Sequence, residues 1–386
     1  MADVDAVTVT AQTVRGSFGV YVHVPYCTSR CGYCDFNTYL AGSADMVELG
    51  AQWAAGVAAE ISAHRRAETL AIERPVDTVF FGGGTPSLLP VPAIATVLDA
   101  LAETCGIEPG AEITIEANPE SVSPRNLRDL LAVGVNRLSV GMQSDDPRVL
   151  DVLDRAHQAG AAQRAVALAM QAGFTRCSLD LIYGTPGETI ESWRASLAAA
   201  LATEVGHISA YALAIPRGTA MARRIAAGEL PMPDDDDAAT KYEIADELLG
   251  AAGLDWYEVS NWAAPGQECR HNLGYWRGGD WWGLGPGAHG HVRGVRYENH
   301  KLPDRWFRGT TDGTSVARSE TLDPSQRHTE HVMLATRLRE GLDPAMVPQS
   351  AVQSLVEQGL LIHDDRLRLT RRGRLLGDRV VLALLE

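Results

Sequence analysis

The chain has 386 residues, 45% of them apolar and 22% charged, the make-up of a globular protein with a sizeable core: one large barrel with an appendage, or two domains. It has no uninterrupted apolar run of about 18 residues, which excludes an integral helical membrane protein as the expectation. With 49 acidic and 34 basic residues the net charge is −15, which opposes nucleic acid or an anionic membrane as the main partner.

The opening "MADVDAVTVTAQTVRGSFGV" carries Asp3 and Asp5 and has neither a basic start nor an apolar core, so no signal peptide is expected and the predicted location is the cytoplasm. From about residue 18 to 215, six β-rich runs alternate with Ala- and Leu-rich helical segments. They are "FGVYVHV", "VDTVFFGGG", "EITIEAN", "VNRLSVGMQ", "CSLDLIYG" and "HISAYALAI". Right-handed βαβ units and a parallel α/β sheet follow, read as an incomplete (β/α)6 barrel, with an open doubly wound sheet left as the alternative. Polar residues gather where these runs end, and in a parallel barrel those ends share one rim where ligands bind.

After "PRGT" the pattern changes. "MPDDDD" reads as a helix entry whose carboxylates suit the positive end of the helix "AATKYEIADELLGAAG". A Trp-, Gly- and His-rich region follows from about 254 to 300, and from about 325 two helices lead into "GLLIHDDRLRLTRRGRLLGDRVVLALL", a hairpin-like centre resembling a small winged-helix module that docks on the barrel rather than on DNA. The expected division is a barrel at 1–220, an α/β extension at 221–320 and the winged-helix-like module at 321–386.

Three of the six cysteines, Cys27, Cys31 and Cys34, fall within "YVHVPYCTSRCGYCDF" at C-x3-C-x2-C spacing, just after the first strand. Cys105, Cys177 and Cys269 are scattered singly, which argues for a reducing compartment and makes them buried small hydrophobes by default. Zinc is one reading of the cluster, but a closed zinc site wants a fourth ligand and no nearby second pair supplies it. Three thiolates on one loop also fit a [4Fe–4S] cluster with one iron left open for a small molecule.

The cysteine spacing, the aromatic Tyr33 before the third cysteine and "GGGTP" at a strand end together resemble the radical S-adenosylmethionine (SAM) superfamily. The strings "YVHVPYC", "GGGTPS", "SVGMQS" and "LDLIYGTPGET" are similar to its branch of oxygen-independent coproporphyrinogen III dehydrogenases and HemW-type heme chaperones. The resemblance implies a [4Fe–4S] cluster on Cys27, Cys31 and Cys34, with SAM chelating the open iron. It also implies a SAM pocket at the rim. Gly83, Gly84 and Thr85 would let the methionine ammonium approach backbone carbonyls; Glu116, Gln143 and Asp180 would meet the ribose; Arg155 would meet the carboxylate. Tyr33 and Ala214 would flank the adenine, and Tyr21 joins the pocket. Taken singly, a Glu, Gln or Asp at a strand end is more often a helix cap or turn residue, and only the joint constellation points to a pocket.

Within this branch the dehydrogenases resemble C-x3-C-x2-C-x-C and carry a long N-terminal segment, whereas here Phe36 takes the last cysteine's place and 26 residues precede Cys27. "HNLGYW" at 271–276 instead matches the chaperones' H-N-x-x-Y-W string. This implies a heme carrier delivering to acceptor proteins, membrane-associated respiratory proteins among them, with a tetrapyrrole-acting enzyme as the alternative. His271 is the implied heme ligand, Tyr275, Trp276, Trp281 and Trp282 the walls, and Arg270 or Arg277 the propionate partner. An ordinary hydrogen-bonded histidine is the other reading of His271, and Cys269, His289 and His291 are further candidates. Monomer and dimer are both left open.

Overall fold

The computed structural model describes residues 17–42, 45–67 and 70–386. The opening residues, on which the expectation about a signal peptide rests, lie outside them. The six runs form six strands: Phe18–Val24, Val76–Gly83, Ile107–Ala117, Arg137–Gln143, Cys177–Tyr183 and His207–Ala212. They lie side by side in chain order and pair in parallel, Tyr21 beside Phe80 and Asp180 beside Ser209.

Side-chain alternation decides between the two expected architectures. One face carries Val20, Val22, Val79, Phe81, Ile115, Leu138 and Leu179, all fully buried in one core with Trp53, Val57 and Ile94 of the crossover helices. The other carries Tyr21, Thr78, Phe80, Glu112, Thr114, Arg137, Ser139, Asp180 and His207, a polar set that no doubly wound sheet could pack under a second helical layer. Those side chains reach one another instead: the Ser139 hydroxyl donates to Asp180 Oδ2 (2.7 Å), and Ser178 donates to Ser139 (2.9 Å). Helices outside and polar side chains inside make an incomplete barrel.

The strands between residues 221 and 321 join the barrel's sheet rather than building one of their own. Asp280–Leu284 pairs in parallel with the free edge of the first strand, Trp282 beside Val20, and His289–Val292, Val295–Asn299 and Val316–Thr321 follow it in antiparallel order. At the opposite edge Asn261–Ala263 and Asp255–Glu258 extend the sixth strand, so one open sheet of twelve strands runs through the described residues. The acidic run begins the helix Asp235–Ala251 as expected, its N-cap Asp234 accepting from the Asp237 amide.

From residue 324, helices Pro324–Ala335, Gln349–Glu357 and Gly377–Leu385 enclose a second core with the hairpin Leu361–His363/Leu367–Leu369. This module is fastened to the barrel by Arg374, which forks onto both oxygens of Asp246 at 2.7 Å and lies over Trp256.

Candidate functional site

The cysteine loop leaves the first strand at its C-terminal end and is held from several sides. A short ladder pairs Tyr26–Cys27 with Tyr39–Leu40, the Gly32 amide donates to Leu153 O, and the Gly32 carbonyl accepts from the Met221 amide. Asn37 donates to the carbonyls of Pro286 (2.9 Å) and Lys301 (2.8 Å), clipping the loop to the chain's C-terminal half. All three thiols are half-buried and unbridged. Burial raises the Cys27 and Cys34 thiols above their ordinary range, so cluster assembly there releases protons.

Among the described residues no three His, Cys, Asp or Glu side chains gather closely enough to share a single ion. A zinc would require that, whereas a four-iron cluster spreads its thiolates over separate irons. The loop's chemistry therefore fits the cluster.

The strand ends bring the expected rim residues together. The Thr85 hydroxyl stands 3.8 Å from Cys27 Sγ and accepts from Asn118 Nδ2 (3.1 Å). Arg155 donates to Cys31 Sγ (3.3 Å), to Asn118 Oδ1 (2.8 Å) and to Gly141 O (3.3 Å), yet its buried Nε has no partner. An unpaired guanidinium N–H beside a thiol is what a SAM carboxylate would need, and it is the observation by which the residues fit that cofactor.

Glu116 accepts from the Gly83 amide (3.0 Å), and burial, with Asp180 nearby, pushes its carboxyl up to about 7. Burial also raises Asp180. Gln143 adopts φ 62°, a conformation side chains rarely take, at a bulge between the fourth and fifth strands; His157 Nε2 donates to Met142 O (3.0 Å) and supports that turn. Tyr33 packs with Leu213 and Ile215, which flank the exposed Ala214. Tyr21 lies one layer below, its hydroxyl bonded to His23 Nδ1 (2.9 Å).

Two glycines are required here. A Cβ on Gly84 would sit 2.5 Å from Tyr26 O, and one on Gly83, at φ 112°, would strike the His23 ring.

"HNLGYW" forms the helix Arg270–Trp276 and lies at the other end of the barrel. His271 is buried inside it, its Nδ1 bonded to Thr78 Oγ1 (2.8 Å) and its Nε2 to the Tyr275 hydroxyl (2.7 Å), with the ring stacked on Phe80. Its backbone amide and the Cys269 thiol both donate to Glu112, which also faces Arg137 and Arg176. In this arrangement neither ring nitrogen of His271 is open to an iron. Trp282 is fully buried against Phe18 and donates to Leu70 O, so it walls no porphyrin. Arg270 donates to Gly110 O, and Arg277 pairs with Glu340.

Sequence reasoning did not find His23, Asn37, or the pair Lys241 and Glu188. Glu188 Oε2 accepts from the Gly184 amide (2.8 Å) and from Lys241 Nζ (3.2 Å), fixing the "GTPGE" loop at the rim. None stands out in the sequence: burial marks His23, Lys241 and Glu188, and contacts with distant carbonyls mark Asn37.

A profile described as the radical SAM superfamily matches residues 21–200. The chain is 48% identical over 374 residues, 95% of each chain, to the heme chaperone HemW of Mycobacterium tuberculosis (strain ATCC 25618 / H37Rv). It is 36% identical to the heme chaperone HemW of Escherichia coli (strain K12), over 83% of this chain and 82% of the other. It is 35% identical to the mitochondrial radical S-adenosyl methionine domain-containing protein 1 of Bos taurus, over 95% and 87%. Among solved structures, the coproporphyrinogen III oxidase HemN of Escherichia coli superposes with a TM-score of 0.81 over 96% of this chain and 90% of the other, at 23% identity, which shows a common fold.

Proposed function

Because this chain belongs to the HemW family of the radical SAM superfamily, we propose that it is a heme carrier that binds heme and passes it to acceptor proteins. The observation that carries the reading is the end-to-end identity to a protein named a heme chaperone, 48% over 95% of both chains. Phe36 supports it, standing where the coproporphyrinogen dehydrogenases resemble a fourth cysteine.

Cys27, Cys31 and Cys34 would hold the [4Fe–4S] cluster of the superfamily. Gly83, Gly84, Thr85, Glu116, Gln143, Arg155 and Asp180 would hold SAM, with Tyr33 and Ala214 at the adenine. When bound, the pair supplies one-electron chemistry on a sulfonium. The residues' own work is positional: Arg155 spans a cluster thiol and Asn118, so one guanidinium aligns the cofactor's carboxylate with the loop. Glu116 and Asp180 present acceptors from adjacent depths of the barrel. Among the described residues no helix is long and apolar enough to cross a membrane.

The test is a heme titration of the full chain, followed by the Soret band, beside an anaerobic assay of the reconstituted protein with SAM, reductant and coproporphyrinogen III. Saturable heme binding without protoporphyrinogen formation is expected. Turnover of coproporphyrinogen would replace the carrier with a dehydrogenase.

A further inference from the structure

A cavity of about 630 Å³ opens where the "HNLGYW" helix meets the C-terminal module, on the side of that helix away from the buried His271 ring. Its volume lies in the range of small-molecule sites. Tyr257, Leu273 and Glu268 line it, together with three arginines from three separate segments, Arg277, Arg339 and Arg368. Tyr257 and Leu273 belong to an apolar cluster with Leu338 and Trp276.

The cavity's walls are built in advance. The Arg339 amide donates to Tyr257 O (3.0 Å), a bridge joins Glu258 to Leu338, and another joins Leu342 to Leu367. Barrel edge, turn and hairpin are thus tied by backbone bonds before any ligand arrives.

The three guanidiniums are not locked away. Arg277 pairs with Glu340, Arg339 with Asp255 (2.7 Å) and Arg368 with Asp364 and Asp365; the arginine side chains are 50%, 56% and 33% exposed. Exposed pairs of this kind contribute little, so an incoming carboxylate can take the place of a protein one at small cost. An apolar floor beneath three exchangeable guanidiniums suits a flat apolar molecule with two carboxylates at one edge.

We infer that this cavity is the tetrapyrrole site: heme lies on Leu273 and Tyr257 with its propionates on Arg277, Arg339 and Arg368, and His271 does not ligate it. The inference rests on the carrier reading and adds the location. The Tyr257 hydroxyl is turned away, taken up by His207 (2.8 Å) and the Cys269 amide (3.3 Å), and the lining residues are Tyr257, Leu273, three arginines, Glu268 and Glu340, so the bound iron meets no imidazole there. Held by stacking and propionates, a cargo is able to leave.

The test titrates hemin into the full chain, parent and variants, following the Soret band and tryptophan fluorescence. The double charge reversal R277E/R339E, at two half-exposed side chains, is expected to raise the Kd at least tenfold while leaving the urea midpoint in place. Arg125→Glu, at a side chain 91% exposed elsewhere on the surface, is expected to leave the Kd unchanged. Protoporphyrin dimethyl ester should bind the parent and the double variant equally. His271→Ala should keep the parent's Soret position and Kd. A parent-like Kd in R277E/R339E overturns the location while leaving the carrier reading intact, as does loss of the heme spectrum in a folded His271→Ala. Failure of the parent to bind hemin removes the carrier reading and the location together.

Discussion

Lys241→Met tests how the rim is held. Lys241 and Glu188 side chains are both fully buried, and Nζ bonds Glu188 O (2.8 Å), Glu188 Oε2 (3.2 Å) and Asp237 Oδ2 (2.6 Å). Methionine keeps the length but strands Glu188 with one donor, the Gly184 amide, and a second oxygen, Oε1, that already lacks a partner. Breaking a buried pair from one side costs about 3–5 kcal/mol, and urea unfolding at pH 8 should show a loss of that size. Glu188→Gln combined with Lys241→Met removes both charges and should return to within about 1 kcal/mol of the parent, because Asp237 is 40% exposed and can be hydrated.

The pH dependence has a definite sign. Burial raises the Glu188 carboxyl above its usual range, with Lys241 opposing it, so removal of Lys241 raises it further. Stability linked to a raised carboxyl is complete below its unfolded value, about 4.3, and drains away as pH rises through the folded value. The Lys241→Met deficit should therefore be smaller at pH 5 than at pH 8. A deficit under about 1 kcal/mol at pH 8, or one equal at both pH values, would refute the reasoning.

Gly83→Ala, at φ 112° with its Cβ 2.4 Å from His23 Cε1, should cost about 2–5 kcal/mol in urea unfolding; Gly187→Ala, at φ 83° in open space, should lose only about 1–2 kcal/mol. Equal losses would show that the His23 ring gives way. Arg155→Ala should weaken SAM binding to the cluster-loaded protein by about 1.5–3 kcal/mol, measured by calorimetry; unchanged affinity would remove Arg155 from the site. The Glu116 carboxyl, raised to about 7 by burial and by Asp180, stabilises the fold most below its unfolded value and progressively less as pH rises toward 8. Glu116→Gln should flatten the fall in urea midpoint between pH 5 and 8, and parallel slopes for parent and variant would contradict that.

The six barrel strands were legible because a strand buried on its outer face by a helix must repeat apolar residues at every second position, as Val20, Val22 and Val24 do. The cysteines were legible because thiols so close together have few structural uses. The seventh parallel strand, Asp280–Leu284, was not: "DWWGL" has no alternation, and its pairing with Phe18–Val24 spans some 260 positions that no local pattern records. The six-residue motif announced His271, but not that Thr78 and Tyr275 would close around it, since those bonds depend on where the second strand begins. Lys241 carries no signal at all. A lysine four places after an aspartate on a helix reads as a solvated pair, and the packing of a distant loop buries it.

The clip from Asn37 to the carbonyls of Pro286 and Lys301 bears on synthesis order. The thiols are translated early, within the first tenth of the chain, but the Asn37 anchor of their loop waits for residues made some three quarters of the way along it. At the usual pace of elongation, roughly 5–20 residues per second, about 13 to 53 s separate Cys34 from Lys301. Throughout that interval the nascent chain carries three cysteines on a loop that lacks its Asn37 anchor, beside a first strand whose second edge is still bare. Iron delivered then would meet the thiols without their Asn37 anchor. A chain truncated before Pro286 should therefore leave the same cysteines more open to oxidation, read by thiol alkylation against the full chain.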